Sequence, residues 1–291
     1  RVDDYKKNIS FPHKNTIWFI GDSVTNGYGL NYQDTYYSRL NDKFKSKNLK
    51  FNIIPTSNYN NSYLDFDKRF KVIKKNIKEK DLIFYQFNYN DLVLQNNIKS
   101  FQKKKEKFLL IILIFKTNKF RYKYLNHSSF LKMLQHYAGI YARKTKGSCK
   151  ERQLHAMGEY TYTFFTKGFE KQSLEIWNKF KKSIITTNAS AKKINSEFII
   201  LLSPISLQLR QHKKNNKLNY DLSCATINPH NYFIDFLNKN NIKYVDPLSL
   251  FLKHEKKNNI SLFHSYDTNH PNKVGHQIIA NSIYEKIFSE N

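Results

Sequence analysis

The feature that most constrains the fold is a recurrence of short apolar runs, each ending in a turn former and separated from the next by an amphipathic stretch. Thr16-Ile17-Trp18-Phe19-Ile20 stops at Gly21, as a buried strand does where it meets a turn. Phe51 to Ile54 and Leu82 to Phe87 repeat the pattern, Glu197 to Leu202 ends at Ser203-Pro204, and Ile242 to Val245 supplies a fifth run. Between them, Asp34 is placed to cap a helix that carries Tyr36, Tyr37, Leu40 and Phe44 at helical spacing. Leu64 to Ile77 reads as helical, and Pro229 suits the first position of a helix with Phe233, Phe236 and Leu237 on one face. Pro271 opens a last helix whose apolar stripe is Val274, Ile278, Ile279, Ile283 and Ile287. Strands alternating with helices predict an α/β fold, with a five-stranded parallel sheet covered on both faces.

From about Lys99 to Lys193 the regularity lapses. Ser129 to Tyr141 and Leu174 to Ile185 are amphipathic, and Lys144 to Gly158 is rich in charge and turn formers. The expectation is one domain over residues 1–291, interrupted at about 99–193 by a mostly helical insertion that serves as a lid or as a cleft wall. The longest apolar run, Phe108 to Phe115, is far shorter than the ~20 residues that span a bilayer and reads as core.

Composition excludes several classes. Twenty Tyr and 23 Phe with only 8 Gly and 6 Pro do not suit a disordered chain. Two cysteines, Cys149 and Cys224, without C-x-x-C spacing, argue against a zinc module or a redox pair. The net charge of +26 suits an anionic partner such as nucleic acid, a lipid surface or an acidic polysaccharide. AT-rich codons, however, raise Lys, Asn and Ile together, and here the lysines are dispersed rather than gathered into a stripe. No nucleic-acid-binding motif is present, so no specific nucleic acid is expected, while peripheral membrane association and the oligomeric state stay open. The chain starts at Arg1, so an upstream segment is expected, and with it an extracytoplasmic protein that is periplasmic, secreted or membrane-anchored.

Two segments carry residues suited to nucleophilic chemistry. Gly21-Asp22-Ser23 follows the first strand directly. A nucleophilic serine needs an exposed hydroxyl, a nearby base and N–H donors for the oxyanion, and the carboxyl end of a parallel strand offers that setting. The tripeptide alone equally fits an ordinary turn. Asp267-Thr268-Asn269-His270-Pro271-Asn272 precedes the last helix. An Asp three residues before a His on a proline-stiffened loop can take the Nδ1 proton and aim Nε2 outward. The same segment also fits a helix cap built from Asp267, Asn269 or Asn272. The histidines His127, His136, His155, His230, His254, His264 and His276 lack such a setting and read as surface or core residues.

Phe19-Ile20-Gly21-Asp22-Ser23-Val24-Thr25-Asn26-Gly27-Tyr28-Gly29 resembles the nucleophile block of the SGNH (GDSL-like) hydrolases. Asp267-x-x-His270-Pro271-Asn272-x-x-Gly275-His276 resembles their C-terminal Asp-x-x-His block. Asp81 to Asp91, ending Asn88-Tyr89-Asn90-Asp91, is similar to the block in which a strand leads to a Gly-x-Asn-Asp turn. The three occur in the family's order, and the resemblance covers residues 16–91 and 197–288.

The resemblance implies a flavodoxin-like α/β/α sandwich and a serine esterase acting on short-chain or O-acetyl esters of small molecules or glycans. Ser23 would be the nucleophile, His270 the base and Asp267 its orienter. The oxyanion hole would combine the N–H of Ser23, the N–H of Asn58, which stands where the family has glycine, and the side chain of Asn90. Asn88 likewise replaces a family glycine. No metal or other cofactor is implied. Two further readings remain at this point: an O-acetyltransferase acting on a cell-surface polysaccharide, and a non-catalytic protein that binds carbohydrate or nucleic acid.

Overall fold

The computed structural model describes residues 15–57, 63–92, 170–211, 228–258, 260–264 and 269–288. Arg1–Leu92, Glu175–Asn215 and His230–Asn291 make one compact unit, and Val93–Leu174 with Asn216–Pro229 make a second. All five described strands lie in the first. In order along the chain the elements are β1 (Thr16–Gly21), α1 (Tyr36–Ser46), β2 (Asn52–Ser57), α2 (Tyr63–Ile73), β3 (Leu82–Phe87), α3 (Glu170–Lys192), β4 (Glu197–Leu202), α4 (Ser206–Gln211), α5 (Asn228–Lys239), β5 (Lys243–Val245), α6 (Leu248–Asn258) and α7 (Lys273–Phe288). Of the stretch 99–193 expected as an insertion, residues 99–169 lie outside the described residues, as do Phe108 to Phe115, Ser129 to Tyr141, Cys149 and Cys224. Among the described residues no helix is long and apolar enough to cross a membrane.

The strands form one all-parallel sheet in the order β2-β1-β3-β4-β5. This is the flavodoxin-like order, and it reverses direction beside β1, so the carboxyl ends of β1 and β3 flank the crevice where such sheets hold their ligands. Burial on both faces explains why the central strands read as near-continuous apolar runs. On one face Ile17, Phe19, Phe84, Ile199 and Leu201 pack with Tyr36, Leu40 and Phe44 of α1, Phe251 of α6, and Ile279 and Ile283 of α7. On the other face an aromatic layer joins Tyr85 and Phe87 to Phe66 of α2, Phe180 of α3 and Phe233 of α5. Pro55 is tolerated in β2 because that strand is an edge.

A buried carboxylate sets the register at the other end of the sheet. Asp81 Oδ1 accepts the Thr16 N–H at 2.8 Å, and its Oδ2 accepts from Trp18 Nε1 at 3.0 Å and from the Lys78 N–H at 2.9 Å. In a glycine-poor chain asparagine closes the helices. Asn48, Asn195 and Asn241, just past α1, α3 and α5, have φ of 56°, 53° and 48°. In each case the following N–H reaches back five residues, to Phe44, Ala191 and Leu237 respectively, the hydrogen bond of a Schellman cap.

Helix starts differ slightly from expectation. Thr35, not Asp34, caps α1, its Oγ1 accepting the Ser38 N–H, while Asp34 pairs with Arg39 at 2.6 Å. Helix α5 begins one residue before Pro229. Helix α7 begins at Lys273, because Pro271 is held in a bridge to Phe263 and Asn272 takes the capping position.

Candidate active site

Ser23 sits two residues beyond β1 on a turn that hydrogen bonds shape closely. Asp22 Oδ1 accepts the Val24 N–H at 2.8 Å, and the Asn26 and Tyr28 N–H groups donate to the Asp22 and Ser23 carbonyls, both at 3.0 Å. Gly27 and Gly29 take φ of 72° and 74°, in the left-handed region that a side chain resists. Beneath the turn lies Gln86 of β3, fully buried, whose Oε1 accepts from the Asp22 N–H at 3.2 Å, the Thr25 N–H at 3.3 Å and Thr25 Oγ1 at 2.9 Å. A Cβ at Gly21 would sit 2.0 Å from Thr25 Oγ1 and 2.8 Å from Thr25 Cβ, as well as 2.6 Å from that oxygen, so the turn is built around glycine there.

His270 comes to the same point from 247 residues away. Its Nε2 lies 2.6 Å from Ser23 Oγ. The loop that carries it is clipped on both sides. The His264 N–H donates to the His270 carbonyl at 3.2 Å and the Asn272 N–H to the Leu262 carbonyl at 2.9 Å. The Asn272 side chain donates to the Ser261 carbonyl at 2.7 Å, while its Oδ1 accepts the Val274 and Gly275 N–H groups at 2.9 and 3.2 Å. Asn272 is therefore both the cap of α7 and a brace for the loop that carries His270. The Tyr28 ring packs on the imidazole, with centroids 4.6 Å apart.

The expected site residues fall into two groups. Ser23 and His270 meet. Asp267 and Asn58 lie outside the described residues. Asn90 lies on the 3-10 turn Tyr89–Leu92 that follows β3, at the same edge of the sheet as Ser23. That turn is anchored at both ends. Asp91 Oδ2 accepts the Asn88 N–H and the Tyr85 hydroxyl, each at 3.0 Å. The Tyr89 hydroxyl lies 3.1 Å from His230 Nδ1, which Gln208 Nε2 approaches to 3.2 Å. With two donors facing Nδ1, the ring proton of His230 is on Nε2, 3.0 Å from Asp246 Oδ2.

Sequence reasoning missed Arg69 of α2. Its Nη1 donates to the Gly21 carbonyl at 3.0 Å and to the Thr56 carbonyl at 3.2 Å, tying the carboxyl ends of β1 and β2 together beside the nucleophile turn. Burial lowers its pKa, opposed by the negative charges of Asp65, Asp22 and Asp91. Burial, and after it the nearby Asp22, pushes the Asp91 carboxyl well above the usual range. An arginine in a chain whose cations are nearly all lysine was the available signal, because a fork of donors suits two carbonyls at once. Among the described residues, no group of three or more His, Cys, Asp or Glu could hold a metal ion.

No protein-family model matches the chain, and no curated protein sequence matches it. Solved structures do. An acetyl xylan esterase, AlAXEase, superposes with a TM-score of 0.52 at 15% identity, over 94% of this chain and 100% of that one. A member of the lipolytic protein G-D-S-L family from Veillonella parvula superposes with a TM-score of 0.50 at 12% identity, over 95% of this chain and 99% of that one. At these identities the likeness is one of architecture, and it agrees with the parallel sheet, its strand order and the helices on its two faces. The chain has the fold of the G-D-S-L (SGNH) esterases and lipases.

Proposed function

We propose that the protein is a serine ester hydrolase acting on short-chain or O-acetyl esters, with Ser23 as nucleophile and His270 as general base. The observation that carries this reading is the 2.6 Å approach of His270 Nε2 to Ser23 Oγ at the carboxyl edge of the sheet, within the reach a base needs to take a hydroxyl proton. As Oγ attacks the ester carbonyl, its proton passes to Nε2 and the carbonyl π pair moves onto oxygen. Collapse of this oxyanion expels the alcohol, which takes the proton from Nε2, and leaves an acyl-serine. Water then attacks the acyl carbon, gives a proton to Nε2, and the acid departs as that proton returns to Oγ.

Asp267 is assigned the Nδ1 side of the imidazole, where it would stabilise the imidazolium. The N–H groups of Ser23 and Asn58 and the side chain of Asn90 are assigned the oxyanion, one such donor being worth ~10²–10³ in rate. The test is turnover of p-nitrophenyl acetate by the purified protein and by Ser23→Ala, which should fall by at least ~10⁴-fold. Equal rates in the two proteins would remove the catalytic reading.

A further inference from the structure

A second imidazole, His230, lies buried on the first turn of α5, and the hydrolytic steps give it no task. Its partners come from three different places in the fold. Tyr89 follows β3, Gln208 belongs to α4, and Asp246 follows β5. Each partner is oriented by something other than His230. The Ile205 N–H donates to Gln208 Oε1 at 2.9 Å, so Nε2 is the end of that amide that faces the ring. Burial, and after it the charge of Asp246, raises the Tyr89 pKa well above the usual phenol value, so the hydroxyl keeps its proton to donate. The Leu248 N–H donates to Asp246 Oδ1 at 3.1 Å, while Oδ2 meets His230 Nε2. The imidazole thus presents a bare Nδ1 to Tyr89 and its N–H to Asp246.

The turn Tyr89–Leu92 carries two ties of different reach. Asp91 joins it to Asn88 and Tyr85, all within six residues. That tie sets the shape of the turn, but not where it stands against the strands beyond β3. The bond from Tyr89 spans 141 residues and reaches the β4–β5 side of the sheet. A phenylalanine at 89 would keep the ring contacts with Phe87 at 5.1 Å and Trp177 at 6.3 Å. Apolar groups of similar volume often match or exceed a buried polar set in stability. Stability alone therefore does not account for this set, whereas placement of the turn does.

We propose that His230 is a positioning residue of the reaction: through Tyr89 it holds the turn that carries Asn90, and Asp246 keeps its Nδ1 free to do so. The proposal rests on the assignment of Asn90 to the oxyanion. Asp246 acts by fixing the tautomer. Its carboxylate takes the Nε2 proton, which leaves the Nδ1 lone pair for the Tyr89 hydroxyl and the Gln208 amide.

The test uses substitutions that keep volume. In Asp246→Asn the amide oxygen can keep the Leu248 N–H, and the amide nitrogen then faces His230 Nε2. The ring proton moves to Nδ1, against Gln208 Nε2. This variant and His230→Leu should lower kcat on p-nitrophenyl acetate about tenfold with little change in KM. His230→Asn, whose Oδ1 can stand in for Nδ1, should stay within about threefold of the unsubstituted protein. In an Asn90→Ala background, itself down by ~10²–10³, His230→Leu should cost less than about twofold, since the donor it places is gone. An unchanged kcat in His230→Leu, or the same loss with and without Asn90, would overturn the proposal. Asn90→Ala at the full rate would refute the assignment of Asn90, and the proposal with it. Hydrogen exchange of residues 88–92 reads the placement without turnover. It should be about tenfold faster in Asp246→Asn and His230→Leu than in His230→Asn and the unsubstituted protein; equal exchange in all four would also overturn it. That exchange pattern in a protein that turned over no ester would refute the hydrolase reading and support the hold of His230 on the turn.

Discussion

Acidification should expose the dependence of this fold on one buried imidazole. His276, on the first turn of α7, is 1% exposed, and its Nδ1 accepts the N–H of Tyr36, the first residue of α1, at 3.0 Å. It thereby satisfies one of the donors that every helix start leaves open and ties α1 to α7. Burial above all, helped by His264, Arg39 and His270, lowers its pKa from 6.5 to about 3. The folded value lies below the unfolded one, so the unfolded chain takes up the proton first. Stability is therefore fully present above pH 6.5 and is lost as the pH falls from there towards 3. One proton costs about 1.4 kcal/mol per pH unit across this window, which amounts to about 2 kcal/mol between pH 7 and pH 5. The measurement is the urea midpoint at both pH values for the protein and for His276→Asn, whose Oδ1 can accept the same N–H but does not titrate. The unsubstituted protein should lose about 2 kcal/mol more than the variant over that interval, a shift of about 1 M urea. Equal losses in the two proteins would rule out the His276 imidazole as the cause, since the carboxylates titrate alike in both.

Asp91 should show the opposite sign. Its folded pKa is raised, chiefly by burial, so the unfolded chain releases its proton first and stability falls as the pH rises above the ordinary carboxylate value. The thermal midpoint of Asp91→Asn, measured against that of the unsubstituted protein, should move upward as the pH increases. Arg69→Met removes the two bonds that join β1 and β2 at the site. It should lower kcat on p-nitrophenyl acetate by about 10–10²-fold with little change in KM, because such residues act through placement of the reacting groups; an unchanged kcat would show the tie to be dispensable.

The sheet was legible because its inner strands are buried on both faces. Ile17 to Ile20 and Phe198 to Leu202 have no polar residue to blur the run, and the alternation with helices then leaves few topologies. The edges were harder to read. Strand β2 runs on to Ser57 through Pro55, a residue that ordinarily ends a strand and is harmless only on an edge. Ser23 and His270 were singled out because the blocks around them, each beside an apolar element, follow the order of the SGNH blocks; the turn formers alone fitted an ordinary turn or a helix cap equally well. Arg69 and Gln86 were not, although a glutamine inside the apolar strand Leu82–Phe87 is conspicuous. Their partners are backbone groups of segments distant in the chain, and nothing local in a sequence announces such a pairing. The cap of α1 was misplaced by one residue for a related reason. Asp34 and Thr35 both have capping side chains, and the choice fell to Thr35 because Arg39 engages Asp34. Tyr28 was read only as part of a motif, since its place over His270 depends on a contact across most of the chain.

Catalysis as proposed depends on the Ser23 hydroxyl being made nucleophilic by the imidazole 2.6 Å from it. A fluorophosphonate, which forms a stable ester only with an activated serine, tests this directly when the adduct is mapped by mass spectrometry. One adduct is expected, on the peptide containing Ser23, formed rapidly by the unsubstituted protein and lost in His270→Ala. No adduct at Ser23, or one that forms as fast without the imidazole, would contradict it.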